Sequence, residues 1–215
     1  MAKYSFDTVV ERKNTNSIKY DFNTERQMPP DVLPLWVADM DFETAPEIKE
    51  AILKRASHGI YGYTRPKPDY INTLEMWMKK HHGLFTRPEW YVYTPGVVFG
   101  LGMAVRGLTR PGDSVLIQRP VYYPFSNIIT ENNRNLINNP LIYDKEKGTY
   151  RMDFSDFEEK IIENHVKLFI LCNPHNPVGR VWKREELEAI GDICLKHGVK
   201  VVSDEIHEDF VYEDR

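Results

Sequence analysis

The stretch that most limits how this chain can fold is Leu168-Phe169-Ile170-Leu171-Cys172, followed directly by Asn173-Pro174-His175-Asn176-Pro177-Val178-Gly179. Five apolar residues in a row, closed off by prolines and a glycine, read as a buried strand that stops abruptly. In open α/β sheets ligands gather at the carboxyl ends of the strands, and there this loop presents two asparagines. A second strand, Val199 to Ser203, runs into Asp204-Glu205-Ile206-His207. Two parallel strands linked by one helix would set Asn176 and Asp204 side by side.

The rest of the chain alternates helix and strand around that pair. Pro46 suits the first turn of a helix reaching Ser57, with Ile48, Ala51 and Ile52 on one face. A second amphipathic helix, Tyr70 to His82, is expected to turn Leu74, Trp77 and Met78 inward. Trp90 to Thr94 reads as a strand, and Pro95-Gly96 turns it into a helix over Val97 to Leu108. Gly100 and Gly102 weaken that helix unless a sheet packs very close, so close contact is expected. Further strands are expected at Ser114 to Gln118 and around Leu136 to Ile142, with a polar turn at Lys147-Gly148. Helices are expected over Phe125 to Asn132, Asp156 to Glu163 and Arg184 to His197. The last has Leu187, Ile190 and Cys194 on one face and is closed by Gly198. This rhythm predicts an α/β fold, a three-layer αβα sandwich around a mostly parallel sheet. Residues 1–34 are polar and irregular, an arm that needs another surface to order it. Leu35 to Phe42 reads as a buried edge segment broken by two acids.

Composition excludes several functions. The 215 residues carry a net charge of −4 with no basic run or basic-aromatic stripe, which argues against nucleic acid. The two cysteines lack metal-ligand spacing, so no metal site is expected and both thiols read as buried small hydrophobes of a reducing compartment. No run is apolar enough for a membrane span, and none near Met1 suits a signal peptide, so a cytoplasmic protein is expected.

Several residues could carry chemistry. The turn Thr94-Pro95-Gly96 frees the N–H groups of Val97 and Val98, an anion site if it is more than a plain strand-to-helix turn. Asp204 at a strand end is a functional carboxylate or a cap. His207 is a ligand contact or a core histidine, and Tyr122 or Tyr123 is a stacking platform or packing. Asn176 has the best case, because rigid prolines flank it and no helix or strand pattern requires it.

Together, Thr94-Pro95-Gly96, Pro120-Val121-Tyr122, Asn173 to Gly179 and Ser203 to His207 resemble the fold-type I pyridoxal-phosphate enzymes of aminotransferase class I/II. Leu35-Trp36-Val37-Ala38-Asp39-Met40-Asp41-Phe42 and the Asp204-Glu205-Ile206-His207 tetrad narrow the likeness to the cystathionine β-lyase (MalY/PatB) branch. It runs from about Tyr4 to Arg215. The resemblance implies residues 1–45 as an N-terminal arm and small-domain segment, and 46–215 as the pyridoxal-phosphate-binding large domain. It implies a C–S β-lyase that cleaves cystathionine or another cysteine S-conjugate to thiol, pyruvate and ammonia. An aminotransferase on the same scaffold and a non-catalytic regulatory protein are the alternatives.

The resemblance also implies roles. Asp204 faces the pyridine nitrogen of pyridoxal 5'-phosphate, and Asn176 donates to the ring's phenolate oxygen with His207 on the same side. Tyr122 stacks on the ring, with Tyr123 as the substitute, and the N–H groups of Val97 and Val98 hold the phosphate. Tyr63 reaches the phosphate of a neighbouring subunit in a homodimer, and Ala38 and Asn176 meet the amino-acid substrate. The lysine that anchors the cofactor is implied some tens of residues beyond Asp204, and the arginine that grips the substrate carboxylate later still. The sequence therefore reads as an amino-terminal portion, expected to be inactive alone.

Overall fold

The computed structural model describes residues 4–29 and 31–212. Met1–Lys3 and Pro30 of the expected arm, and Glu213–Arg215 of the expected large domain, lie outside the described residues. By its contacts the chain divides into two units, Met1–Pro66 and Lys67–Arg215.

The first unit holds helix α1 (Pro46–Ser57), begun by a proline as expected. Its Ile48 and Ile52 are exposed. The arm carries more internal order than its composition suggests. Asp21 accepts N–H bonds from Asn14, Thr15 and Ser17. Leu35 to Phe42 is not a buried edge: Leu35, Met40 and Phe42 are exposed. The two acids within it explain why. Asp39 and Asp41 are both gripped by Arg12, and the buried Lys19 reaches Asp41 at 3.0 Å and the Asp39 carbonyl at 2.8 Å. A segment bearing two carboxylates follows its cations to the surface rather than entering a core.

The second unit contains α2 (Pro68–His82), α3 (Val97–Leu108), β1 (Ser114–Ile117), α4 (Pro124–Glu131), β2 (Asn135–Asn138), β3 (Ile142–Asp144) and β4 (Thr149–Arg151). It continues through α5 (Phe154–Glu163), β5 (Leu168–Cys172), α6 (Arg184–His197) and β6 (Lys200–Asp204). Four strands form a parallel sheet in the order β2-β1-β5-β6, while β3 and β4 make a separate antiparallel hairpin around the expected turn. β5 and β6 are neighbours, and Cys172 pairs with Asp204.

Side-chain alternation along the strands builds two cores. Leu116, Phe169 and Leu171 pack on one face with Phe157 and Ile161 of α5 and Ile190 and Cys194 of α6. Val115, Ile117, Leu168, Ile170 and Cys172 pack on the other with Leu101 and Val105 of α3 and Phe125 and Ile129 of α4. A sheet buried on both faces is the three-layer sandwich the sequence implies. Each large side chain so buried contributes about 1.5–3 kcal/mol. Gly198 ends α6 at φ 67°, as a helix-closing glycine does.

Other expectations fail for identifiable reasons. Trp90 to Thr94 is not a strand; Pro88–Trp90 is a 3-10 turn and the next residues join no sheet. Aromatic composition gives strand propensity, but a strand needs a partner edge. The strand around Leu136 to Ile142 divides, because Pro140 has no N–H for a ladder. Trp77 is 47 % exposed, stacked on His81, while Leu74 and Met78 are half-buried. A Cβ at Gly102 would meet nothing within 4 Å, and one at Gly100 only the Thr94 side chain at 3.5 Å, so close helix–sheet approach does not require these glycines. β6 has a sheet neighbour on one side, and its Val201 is exposed. Among the described residues no helix is long and apolar enough to cross a membrane. No His, Cys, Asp and Glu cluster among them could hold a metal.

Candidate active site

The site is built at the carboxyl edge of the sheet. Beyond the last β5–β6 pair, the Asn173 N–H donates to the Asp204 carbonyl at 3.0 Å, carrying the ladder one residue into the loop. The loop then closes on itself. His175 N–H donates to the Arg180 carbonyl at 2.7 Å, and Gly179 N–H returns to the His175 carbonyl at 2.9 Å. Trp182 clamps it from below, donating its indole N–H to the Cys172 carbonyl at 3.0 Å and its backbone N–H to Asn173 Oδ1 at 3.1 Å. Arg180 ties the far end to Glu186 and to the Tyr150 carbonyl. The peptide bonds before Pro174 and Pro177 are cis.

The two asparagines thus differ in use. Asn173 holds the loop's shape. Asn176 lines a hollow of about 270 Å³ together with His175, Pro177, His207, Phe210 and Tyr212. Asn176 and His207, which come from the ends of different strands, therefore share one cavity. Asp204 is not in that lining; it lies buried at the base of the same edge, 6 % exposed. Its Oδ1 accepts the Ile206 N–H at 3.1 Å. No cation pairs with it among the described residues. Burial pushes its carboxyl above the usual carboxylate range. A buried carboxyl group with so few partners suits a protonated heterocyclic nitrogen.

The start of α3 reaches the same edge. Gly107 and Leu108 at its other end share a hollow with Lys167, just before β5, and Lys200, the first residue of β6. The helix therefore runs antiparallel to the strands, and its first turn faces their carboxyl ends. No side chain caps that turn, since the Thr94 hydroxyl donates to the Gly96 carbonyl instead. The N–H groups of Val97 and Val98 are left for an anion, favoured by the helix dipole. Tyr122 is 38 % exposed on the loop leaving β1, with its ring 5.5 Å from Tyr123 and edge-on to Phe125. Tyr123 is the more exposed of the two.

Toward one sheet edge lie Val97, Val98, Tyr122, Asn176, Asp204 and His207: helix-start N–H groups without a side-chain cap, an aromatic face, an amide, a buried carboxyl and an imidazole. That set fits an anionic, aromatic, nitrogen-containing group. Ala38 and Tyr63 belong to the first unit, where both are exposed. Sequence reasoning passed over His175, which is 2 % exposed with its Nε2 3.0 Å from the Pro120 carbonyl. Its position between two prolines, beside Asn176, was the available signal.

Comparison with known proteins gives the family and the fold. The chain matches the aminotransferase class I and II family over residues 30–215. It is 47 % identical over 207 residues to cystathionine beta-lyase PatB of Bacillus subtilis, covering 96 % of this chain and 53 % of that protein. It is 34 % identical over 213 residues to protein MalY of Escherichia coli, covering 99 % and 54 %. Among solved structures, cystalysin of Treponema denticola, which contains a pyridoxal 5'-phosphate cofactor, matches at TM-score 0.89 and 40 % identity over 99 % of this chain and 54 % of that one. The pyridoxal-phosphate-bound C–S lyase of Staphylococcus hominis matches at TM-score 0.86 and 36 % identity over 95 % and 51 %. The chain spans about half the length of the curated relatives it matches.

Proposed function

The chain belongs to the aminotransferase class I and II family, and from that premise we propose that the whole protein is a pyridoxal-phosphate-dependent C–S β-lyase. Its substrate class is cystathionine or another cysteine S-conjugate, and its products are a thiol, pyruvate and ammonia. The observation that carries the reading is the pairing of Cys172 with Asp204, which brings the Asn176 loop and the buried Asp204 carboxyl to one edge of adjacent parallel strands. The likeness to two proteins named for C–S bond cleavage selects the lyase within the family.

When bound, pyridoxal phosphate supplies an electron sink for the pair left on Cα after its proton is removed. The residues of this chain would hold and orient it. The N–H groups of Val97 and Val98 bind the phosphate, and Tyr122 covers the ring face. The Asp204 carboxylate holds a proton on the pyridine nitrogen, and Asn176 donates its amide N–H to the phenolate oxygen, with His207 beside it. Ala38 and Asn176 orient the substrate. Tyr63 serves the phosphate of a second subunit, which makes the whole protein a homodimer. The buried thiols Cys172 and Cys194, each pushed up to about 11 by burial, fit a reducing, cytoplasmic setting.

The test is incubation of the full-length protein with cystathionine while pyruvate is followed. Pyruvate is expected to appear with each turnover. Cofactor-loaded protein that yields none overturns the lyase, and exchange with an added keto acid instead would identify an aminotransferase.

A further inference from the structure

His175 has no role in the proposed function, yet it is among the most buried side chains of the described residues. The ladder between β1 and β5 is short. It holds two pairs, Val115 with Leu168 and Leu116 with Phe169. Beyond it the two strands lead into separate loops: β1 into Pro120 to Tyr123, which carries Tyr122, and β5 into Asn173 to Arg180, which carries Asn176. His175 spans the gap, with its Nε2 3.0 Å from the Pro120 carbonyl. A carbonyl only accepts, so the ring proton sits on Nε2. Nδ1 then keeps its lone pair, and it is buried with no partner among the described residues. Burial lowers the ring's pKa from the usual histidine value, opposed by the backbone carbonyls of Pro120, Gln118 and Cys172.

The ring itself is fixed. It stands edge-on to Trp182 at 5.4 Å and 89°, and the backbone of His175 is bonded at both N–H and carbonyl within its loop. His175 and Asn176 are consecutive, so the same backbone bonds that place the His175 ring also place Asn176. We propose that His175 is a positioning residue: its Nε2–H, bonded to the Pro120 carbonyl, sets the Tyr122 loop against Asn176 so that the two grip opposite features of one pyridoxal-phosphate ring. This rests on the proposed function for the identity of the ring. It adds the coupling, which no feature of either loop alone supplies.

The test uses the full-length protein, stripped of cofactor and titrated with pyridoxal phosphate. Two variants are compared, H175L without the donor and H175Q, whose amide keeps one near the Nε2 position. H175L is expected to raise the dissociation constant about tenfold, since it leaves a buried carbonyl unpaired and a loop unset. It is also expected to weaken the circular dichroism band of the bound cofactor. H175Q is expected to restore both to near wild type. If H175L, once folded, binds with the wild-type constant and band, or if H175Q fails as badly as H175L, the positioning role is wrong and the ring is only packing. Should H175L not fold, ¹⁵N-histidine spectra of the wild-type holoenzyme decide. The ring proton is expected on Nε2, and a proton on Nδ1 alone overturns the link. Wild-type protein that binds no pyridoxal phosphate would instead overturn the proposed function, so the two failures are distinguishable.

Discussion

Asp204 keeps a carboxyl group where water barely reaches, with one backbone N–H bonded to it and no cation in the described structure. Such a group costs stability unless a ligand completes it. Its carboxyl sits above the ordinary 3.8 because burial disfavours the charged form. A group whose folded value is raised binds its proton more tightly folded than unfolded. Its contribution to stability is therefore full below the ordinary value and is lost as pH rises through the folded value. At neutral pH the cofactor-free protein carries this cost in full. D204N removes the charge while keeping the shape, so cofactor-free D204N is expected to melt above cofactor-free wild type at pH 7, with the gap closing below pH 4. Thermal unfolding across pH checks it, and a D204N protein that melts lower than wild type at pH 7 contradicts it. Activity should move the other way, a stability–function trade that fits a site residue.

At the scale of elements, the site depends on β5 being held straight between two cores. Phe169 of β5 meets Phe157 of α5 edge-on at 5.0 Å, both fully buried. F157A should cost about 3–5 kcal/mol, the usual range for emptying such a site. Chemical denaturation of the full-length protein checks this, and a loss below about 1 kcal/mol would mean that α5 is not essential to the sandwich. Much of this scale was legible in the sequence. The run Leu168 to Cys172, the helix from Arg184 and the strand ending at Asp204 each announce their type through apolar runs, 3.6-residue periodicity and a closing glycine. Trp90 to Thr94 was misread because propensity is local, whereas a strand exists only where another edge accepts its N–H groups. Leu35 to Phe42 was misread because its apolar letters outweighed Asp39 and Asp41. Their cations, Arg12 and Lys19, lie 20 or more residues earlier, beyond any local pattern. In the site, the adjacency of β5 and β6, which carry Asn176 and Asp204 at their ends, was legible from the strand–helix–strand pattern, whereas the absence of Asp204 from the lining of the Asn176 hollow was not. The bond from His175 to Pro120 was not, since 55 residues separate its ends.

At the scale of the molecule, the described chain carries most of the groups proposed to hold an aromatic phosphate at one edge of one parallel sheet. It does so within a span that is about half of its relatives' length. Two units divide that span: Val97, Val98, Asn176 and Asp204, proposed for phosphate, phenolate oxygen and ring nitrogen, belong to the second, and Tyr63, proposed for a second subunit's phosphate, belongs to the first. The central claim is that this edge exists to keep a pyridine nitrogen protonated, with Asp204 as its counter-charge. The direct measurement is the ¹⁵N spectrum of ring-labelled pyridoxal phosphate bound to the full-length protein, followed with pH, in wild type and D204N. The account predicts a protonated nitrogen through pH 8 in wild type and its loss in D204N. A bound ring whose nitrogen is unprotonated in wild type, or is the same in both proteins, would contradict it.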